Sequence, residues 1–206
     1  MHDIVKNTLL RMILAACTTV AFGLLFFQLS VFNMRMMASQ FMMSGVTAGI
    51  AYAALKTPRW RDGLAALFVW YIVLTFFISQ YNWWLLVLFF AYIMGIAAAV
   101  YLYLYFVRRE IVRGALQRVA ASGVITAVAN AVIILFLGLV TMVLGYSASN
   151  ISLATPGYYA SMVFRNLQLG TLIGIGFGVG AELAEYIIRR LEGGGAPESS
   201  GTPGSL

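Results

Sequence analysis

Arg35 and Arg165 are the residues whose chemistry is hardest to place. Each falls at the edge of a long apolar run, with no acidic side chain on the same side of the chain's hydrophobic segments to pair with. A guanidinium at membrane depth is costly unless it pairs, snorkels to the interface or faces a wet cavity. An anion supplied from outside would complete both. With Asn166 and Gln168 beside the second, the two arginines are expected to line an outward-facing pocket for a small solute bearing a carboxylate or phosphate. A helix amino terminus near Tyr158 to Ser161 would add its dipole and its free N–H groups. The competing reading has both guanidinium groups reaching lipid phosphates at the outer interface. Asn130, near the middle of an apolar segment, is either a further ligand of that pocket or an interhelical hydrogen-bond donor worth ~0.6 to 2 kcal/mol.

Other chemistry is excluded by what is missing. The chain has one cysteine and one histidine, so a bis-His haem site, a His-based zinc site and a Ser-His or Cys-His pair within the membrane are all ruled out. Cys17 has no intrachain partner for a disulfide. Leu14-Ala15-Ala16-Cys17 has the form of a lipobox, but only five residues separate Arg11 from Cys17 and the apolar run continues to Phe32, which favours a first membrane helix. Met34, Met36, Met37, Met42 and Met43 could offer soft thioethers to Cu(I). They have no Cys or His alongside and spread round a helix, as flexible core fillers do. No cofactor and no metal are expected. Thr18, Thr19, Thr47, Thr75 and Asn130 are the polar groups at midplane, without Asp, Glu, Lys or His, which argues against proton- or sodium-coupled transport.

The elements that must position these groups follow from composition. Of 206 residues 62% are hydrophobic and only 10% charged, and the mean hydropathy is +0.90. A soluble domain has about 25% charged residues, so this chain cannot cover a globule with polar surface. The expected class is an all-α, polytopic integral membrane protein; an ordinary soluble enzyme or nucleic-acid-binding domain is excluded. With ~20 apolar residues per span, six segments emerge: 9–32, 36–55, 64–80, 84–107, 119–146 and 158–188. They form one transmembrane domain over 1–192, followed by a disordered cytoplasmic tail over 193–206 that is rich in Gly, Ser and Pro.

Charge sets the orientation. Alternating the connections places Lys6, Arg11, Lys56, Arg59, Arg61, Arg108, Arg109, Arg113, Arg118, Arg189 and Arg190 together, 11 of the 13 basic residues. That side is the cytoplasm by the positive-inside rule, so both termini are cytoplasmic in a cell (inner) membrane. All seven acidic residues fall on or near it. Arg108 to Arg118 is expected to form a short basic helix whose Ile111, Val112, Ala115 and Leu116 face the membrane or a partner. Glu185 and Arg189 are spaced as an i,i+4 pair, and Glu182 lies one turn from Glu185 at what is expected to be a solvated helix end, with cation binding or partner docking as the other possibility. Trp60, Tyr81, Trp83, Trp84, Tyr101, Tyr103 and Tyr105 are expected in the two interfacial belts.

Small residues mark the packing seams. Gly170, Gly174 and Gly178 recur every four residues, with Gly176 and Gly180 on an adjoining strip, and Gly45, Gly49 and Ala53 do the same in the second segment. Such stripes permit close helix approach, either within the chain or toward a homo-oligomer or another subunit. In size, helix count, cytoplasmic termini and its Ala-rich first helix (Ala15, Ala16, Ala21), the chain resembles the substrate-binding S components of energy-coupling-factor vitamin transporters. The resemblance implies a ligand bound from outside and ATP hydrolysis on other subunits; no site residue is carried over from it. The expected function is binding or translocation of a small anionic solute, as the membrane subunit of a transporter. The alternative is a non-catalytic structural or assembly subunit of a larger membrane complex. An enzyme is not expected, and the expected partners are membrane lipids, an anionic solute, other membrane subunits or a second copy, but not nucleic acid.

Overall fold

The computed structural model describes residues 2–27, 34–56, 65, 68–73, 76, 83–143 and 156–193. The described backbone is helical almost throughout: α1 (His2–Phe27), α2 (Met34–Lys56), α3 (Trp83–Arg108), α4 (Ala115–Val143) and α5 (Pro156–Gly193). Residues 68–73 are also helical. Among the described residues four helices contain stretches long and apolar enough to cross a membrane: Lys6–Leu25, Phe90–Arg108, Ala115–Phe136 and Ala160–Glu192. The expected third span is described only at 65, 68–73 and 76. The tail after Gly193, the links at 57–64 and 144–155, Trp60, Thr75 and Tyr81 lie outside the described residues.

The second expected span is a helix of 23 residues, yet it falls outside those four apolar stretches. The reason is its position. Phe41, Ser44, Thr47, Ala48, Ala51, Tyr52, Ala53 and Ala54 are buried, so α2 meets protein on most sides and carries small and polar residues where a lipid-facing helix carries Leu and Phe.

The five helices form a closed ring. Each packs on the next in chain order, α5 returns to α1, and α2 also reaches α5 across the middle. Glycines set the distances. A Cβ on Gly49 would lie 2.5 Å from the Met12 carbonyl oxygen, and one on Gly45 2.9 Å from that of Ala16, which fixes the α1–α2 seam. A Cβ on Gly170 would lie 2.7 Å from Ala127 Cα, and one on Gly174 2.7 Å from Gly123 Cα, so this stripe of α5 seats α4. The adjoining strip seats α1: a Cβ on Gly176 would lie 2.7 Å from Thr19 Cα, and one on Gly180 2.7 Å from Ala15 Cα. Both stripes therefore serve contacts within the chain. Backbone approach this close supplies the dispersion contact that lipid cannot drive.

Between α3 and α4 the expected basic helix does not form. Helix α3 ends at Arg108, and Glu110 takes a left-handed conformation with φ of 54°. The Ile111 N–H donates to the Phe106 carbonyl at 3.1 Å, and the Glu110 N–H to that of Val107 at 3.1 Å, a Schellman closure. Helix α4 then starts at once. Gly114 accepts its first bond from the Arg118 N–H at 3.0 Å, while Gln117 Oε1 accepts from the N–H groups of Arg113 at 3.3 Å and Gly114 at 3.4 Å. This is the back-reaching half of a capping box. Two caps satisfied back to back leave no residues for a separate helix.

Candidate functional site

The half-buried charges gather at one end of the ring. Helix α5 brings Glu182 and Glu185 there, three residues apart and on neighbouring faces. Glu185 Oε1 accepts from Arg11 Nε of α1 at 2.8 Å. On the same oxygen, Lys56 Nζ of α2 makes an ion pair at 2.8 Å and the Tyr52 hydroxyl donates at 3.2 Å. Lys56 Nζ also donates to the Tyr52 oxygen at 3.3 Å and lies 5.4 Å from that ring's centre. Glu182 repeats the arrangement on the other flank. Arg118 of α4 donates from Nη2 to Oε2 at 2.8 Å and holds Nε 2.7 Å from Oε1, while the Tyr103 hydroxyl of α3 donates to Oε1 at 3.4 Å.

Phe177 stands between the two halves. Tyr52 and Tyr103 meet it edge to face, with ring centres 5.5 Å and 5.4 Å away. Just over two turns of α5, from Phe177 to Glu185, thus engage all four other helices. Around this layer, Arg108 Nη2 donates to the Leu55 carbonyl at 2.9 Å and Asn7 Nδ2 to Glu192 Oε1 at 3.0 Å. The start of α1 and the end of α5 therefore share this end of the molecule.

Burial decides what these pairs do. The Glu185 side chain is 17% exposed and that of Arg11 14%. The sequence expectation of a solvated helix end, with Glu185 facing Arg189, is corrected here. Glu185 turns instead toward α1 and α2, because two cations and a phenol in a drier setting hold a carboxylate better than one exposed arginine. Lys56 closes α2 just past its apolar run, and burial lowers its ammonium below the usual lysine value against the opposing pull of Glu185. Tyr103 is likewise buried, which corrects its expected place at an interface, whereas Tyr101 and Tyr105 are exposed. Chemically the arrangement is an electrostatic lock. Among the described residues no group of three His, Cys, Asp or Glu could hold a metal ion.

The residues expected to bind an anion are distributed differently. Arg165 and Gln168 are exposed on α5. The Asn166 amide donates to the Met162 carbonyl of its own helix at 2.8 Å. Arg35 lies in α2, with its side chain outside the described residues. Asn130 is buried in the α4–α5 seam beside Gly170, 2% exposed, and its Nδ2 makes no hydrogen bond. Three other buried hydroxyls are hydrogen-bonded. Ser122 Oγ donates to the Gly174 carbonyl across the seam at 2.6 Å, Thr47 Oγ1 accepts from Trp70 Nε1 at 3.0 Å, and Ser44 bonds the Tyr92 hydroxyl. Met42 is exposed and Met43 half-buried, while the side chains of Met34, Met36 and Met37 lie outside the described residues.

The lock's partners were not picked out from sequence. Glu182 and Glu185 stand out in so apolar a chain, but their mates lie 64 to 174 residues away along it. A usable signal existed: carboxylates within an otherwise apolar helix demand partners, and Arg11 is the one charge inside the first apolar stretch beyond Lys6. No protein family, no curated protein and no solved structure matches the chain.

Proposed function

We propose that this chain is a multi-pass, non-catalytic subunit of a larger membrane complex, a helical framework that other subunits assemble on. The observation that carries this reading is the lock itself. The half-buried carboxylates Glu182 and Glu185 are consumed by contacts between helices, as are the glycine stripes, so the described interior offers rigidity in place of reactive groups. We place it in the cell membrane with six spans and both termini cytoplasmic. The grouping of Arg11, Lys56, Arg108, Arg118 and Arg189 at one end supports that orientation. Purification in mild detergent tests the proposal. Stoichiometric membrane partners retained through size exclusion support it, and a lone particle holding a small molecule overturns it.

A second reading, binding or translocation of a small anionic solute, is supported by the exposed Arg165 on α5, far along the helix from Glu182 and Glu185. It predicts that Arg165→Gln abolishes binding of a carboxylate or phosphate solute to the reconstituted protein. Unchanged binding removes Arg165 from any such site.

A further inference from the structure

We infer that the α3–α4 hairpin is a binding site for anionic phospholipid, with Leu116 and Ile111 seated in the leaflet and Arg109 and Arg113 on the headgroup phosphates. Leu116, in the first turn of α4, is 83% exposed and Ile111, in the turn before it, 57%, and arginines flank both. Water is a poor neighbour for two aliphatic side chains held this far out. The rest of the same helix argues for what covers them. Leu116 begins a stripe at four-residue spacing that continues through Ala120, Val124, Val128 and Val132, all exposed along the apolar stretch Ala115–Phe136. The hairpin's apolar surface is thus the end of the lipid-facing surface, not a separate patch.

Charge selects the lipid. Arg108, Arg109 and Arg113 outnumber Glu110 on this hairpin, and Glu110 is 4.0 Å from Arg113 with both side chains largely exposed, which leaves the carboxylate hydrated and the excess positive. Arg108 is engaged with the Leu55 carbonyl. Arg109 lies 5.6 Å from the centre of the exposed Tyr105 ring, a side chain suited to the headgroup level. Because the Schellman closure and the Gln117 cap fix the turn, the two arginines and two aliphatic side chains are presented together on a short rigid tip. Basic residues beside membrane-seated apolar groups bind anionic headgroups.

Two measurements on the full chain test this. In a Cys17→Ser background, Leu116→Cys carries an environment-sensitive NBD label in vesicles of phosphatidylcholine with about a quarter phosphatidylglycerol. The expected result is blue-shifted emission shielded from aqueous iodide; Ile111→Cys repeats it if the first variant does not fold. Retention of phosphatidylglycerol over phosphatidylcholine by native mass spectrometry should fall about fivefold for each of Arg109→Gln and Arg113→Gln. Labels at both positions quenched as fully as in water overturn the proposal, as does unchanged lipid retention in both arginine variants. Shielding that appears only when a protein partner is added also overturns it.

Discussion

Replacing Glu185 by Gln would leave Arg11 and Lys56 facing one oxygen that no longer carries charge. Removing one partner of a half-buried ion pair strands the others, and the typical cost of about 3–5 kcal/mol is the scale to expect. Thermal unfolding in detergent should show a large loss for Glu185→Gln. Arg11→Gln combined with Glu185→Gln should be less damaging than the sum of the two single changes, since the pair is removed together. Full additivity would show that the Arg11–Glu185 contact at 2.8 Å contributes nothing. The carboxylates themselves were legible in the sequence because charge is scarce there. Their partners were not, since Tyr52 and Tyr103 look like any interfacial tyrosine until the ring of helices closes on Phe177.

At the scale of elements, the seams and the caps govern. Gly174→Ala would drive a methyl group against the Ser122 carbonyl and Gly123 Cα; both are backbone and cannot yield. Overpacking of this kind costs about 1–3 kcal/mol, so the melting temperature should drop clearly. Gly157→Ala, with nothing within 4 Å of the new methyl, should leave it nearly unchanged, and equal effects would refute the seam. The α3 cap predicts the opposite sign. Glu110 holds a φ of 54°, a conformation that costs an L-residue about 1–2 kcal/mol, so Glu110→Gly should stabilise the protein by about 1 kcal/mol in the same assay. The sequence showed the glycine stripes plainly, since a four-residue repeat needs no tertiary information. It misread 108–118 as a helix, because local apolar spacing cannot reveal that a left-handed residue has already closed α3.

For the molecule as a whole, the contact between Asn7 and Glu192 puts the start of α1 and the end of α5 at the same end of the helix ring, which is the cytoplasmic end in the proposed orientation. In the Cys17→Ser background, Lys6→Cys and Glu192→Cys should both be shielded from an impermeant maleimide in intact cells and both react after lysis. Reaction of one alone would contradict the ring. Composition by itself pointed to a membrane protein, because 10% charge is too little to cover a soluble globule, and apolar runs too long and too unbroken for barrel strands pointed to helices. It also determined where most of the charge sits along the chain, since positive residues cluster between apolar runs. Only the tertiary structure decided that α5 is the hub, which of its glycines meet α1 and which meet α4, and that Glu182 and Glu185 lock five helices together. Those outcomes depend on how the helices are rotated about their own axes. That rotation is set by close packing among residues far apart in the chain, and no single segment carries the information.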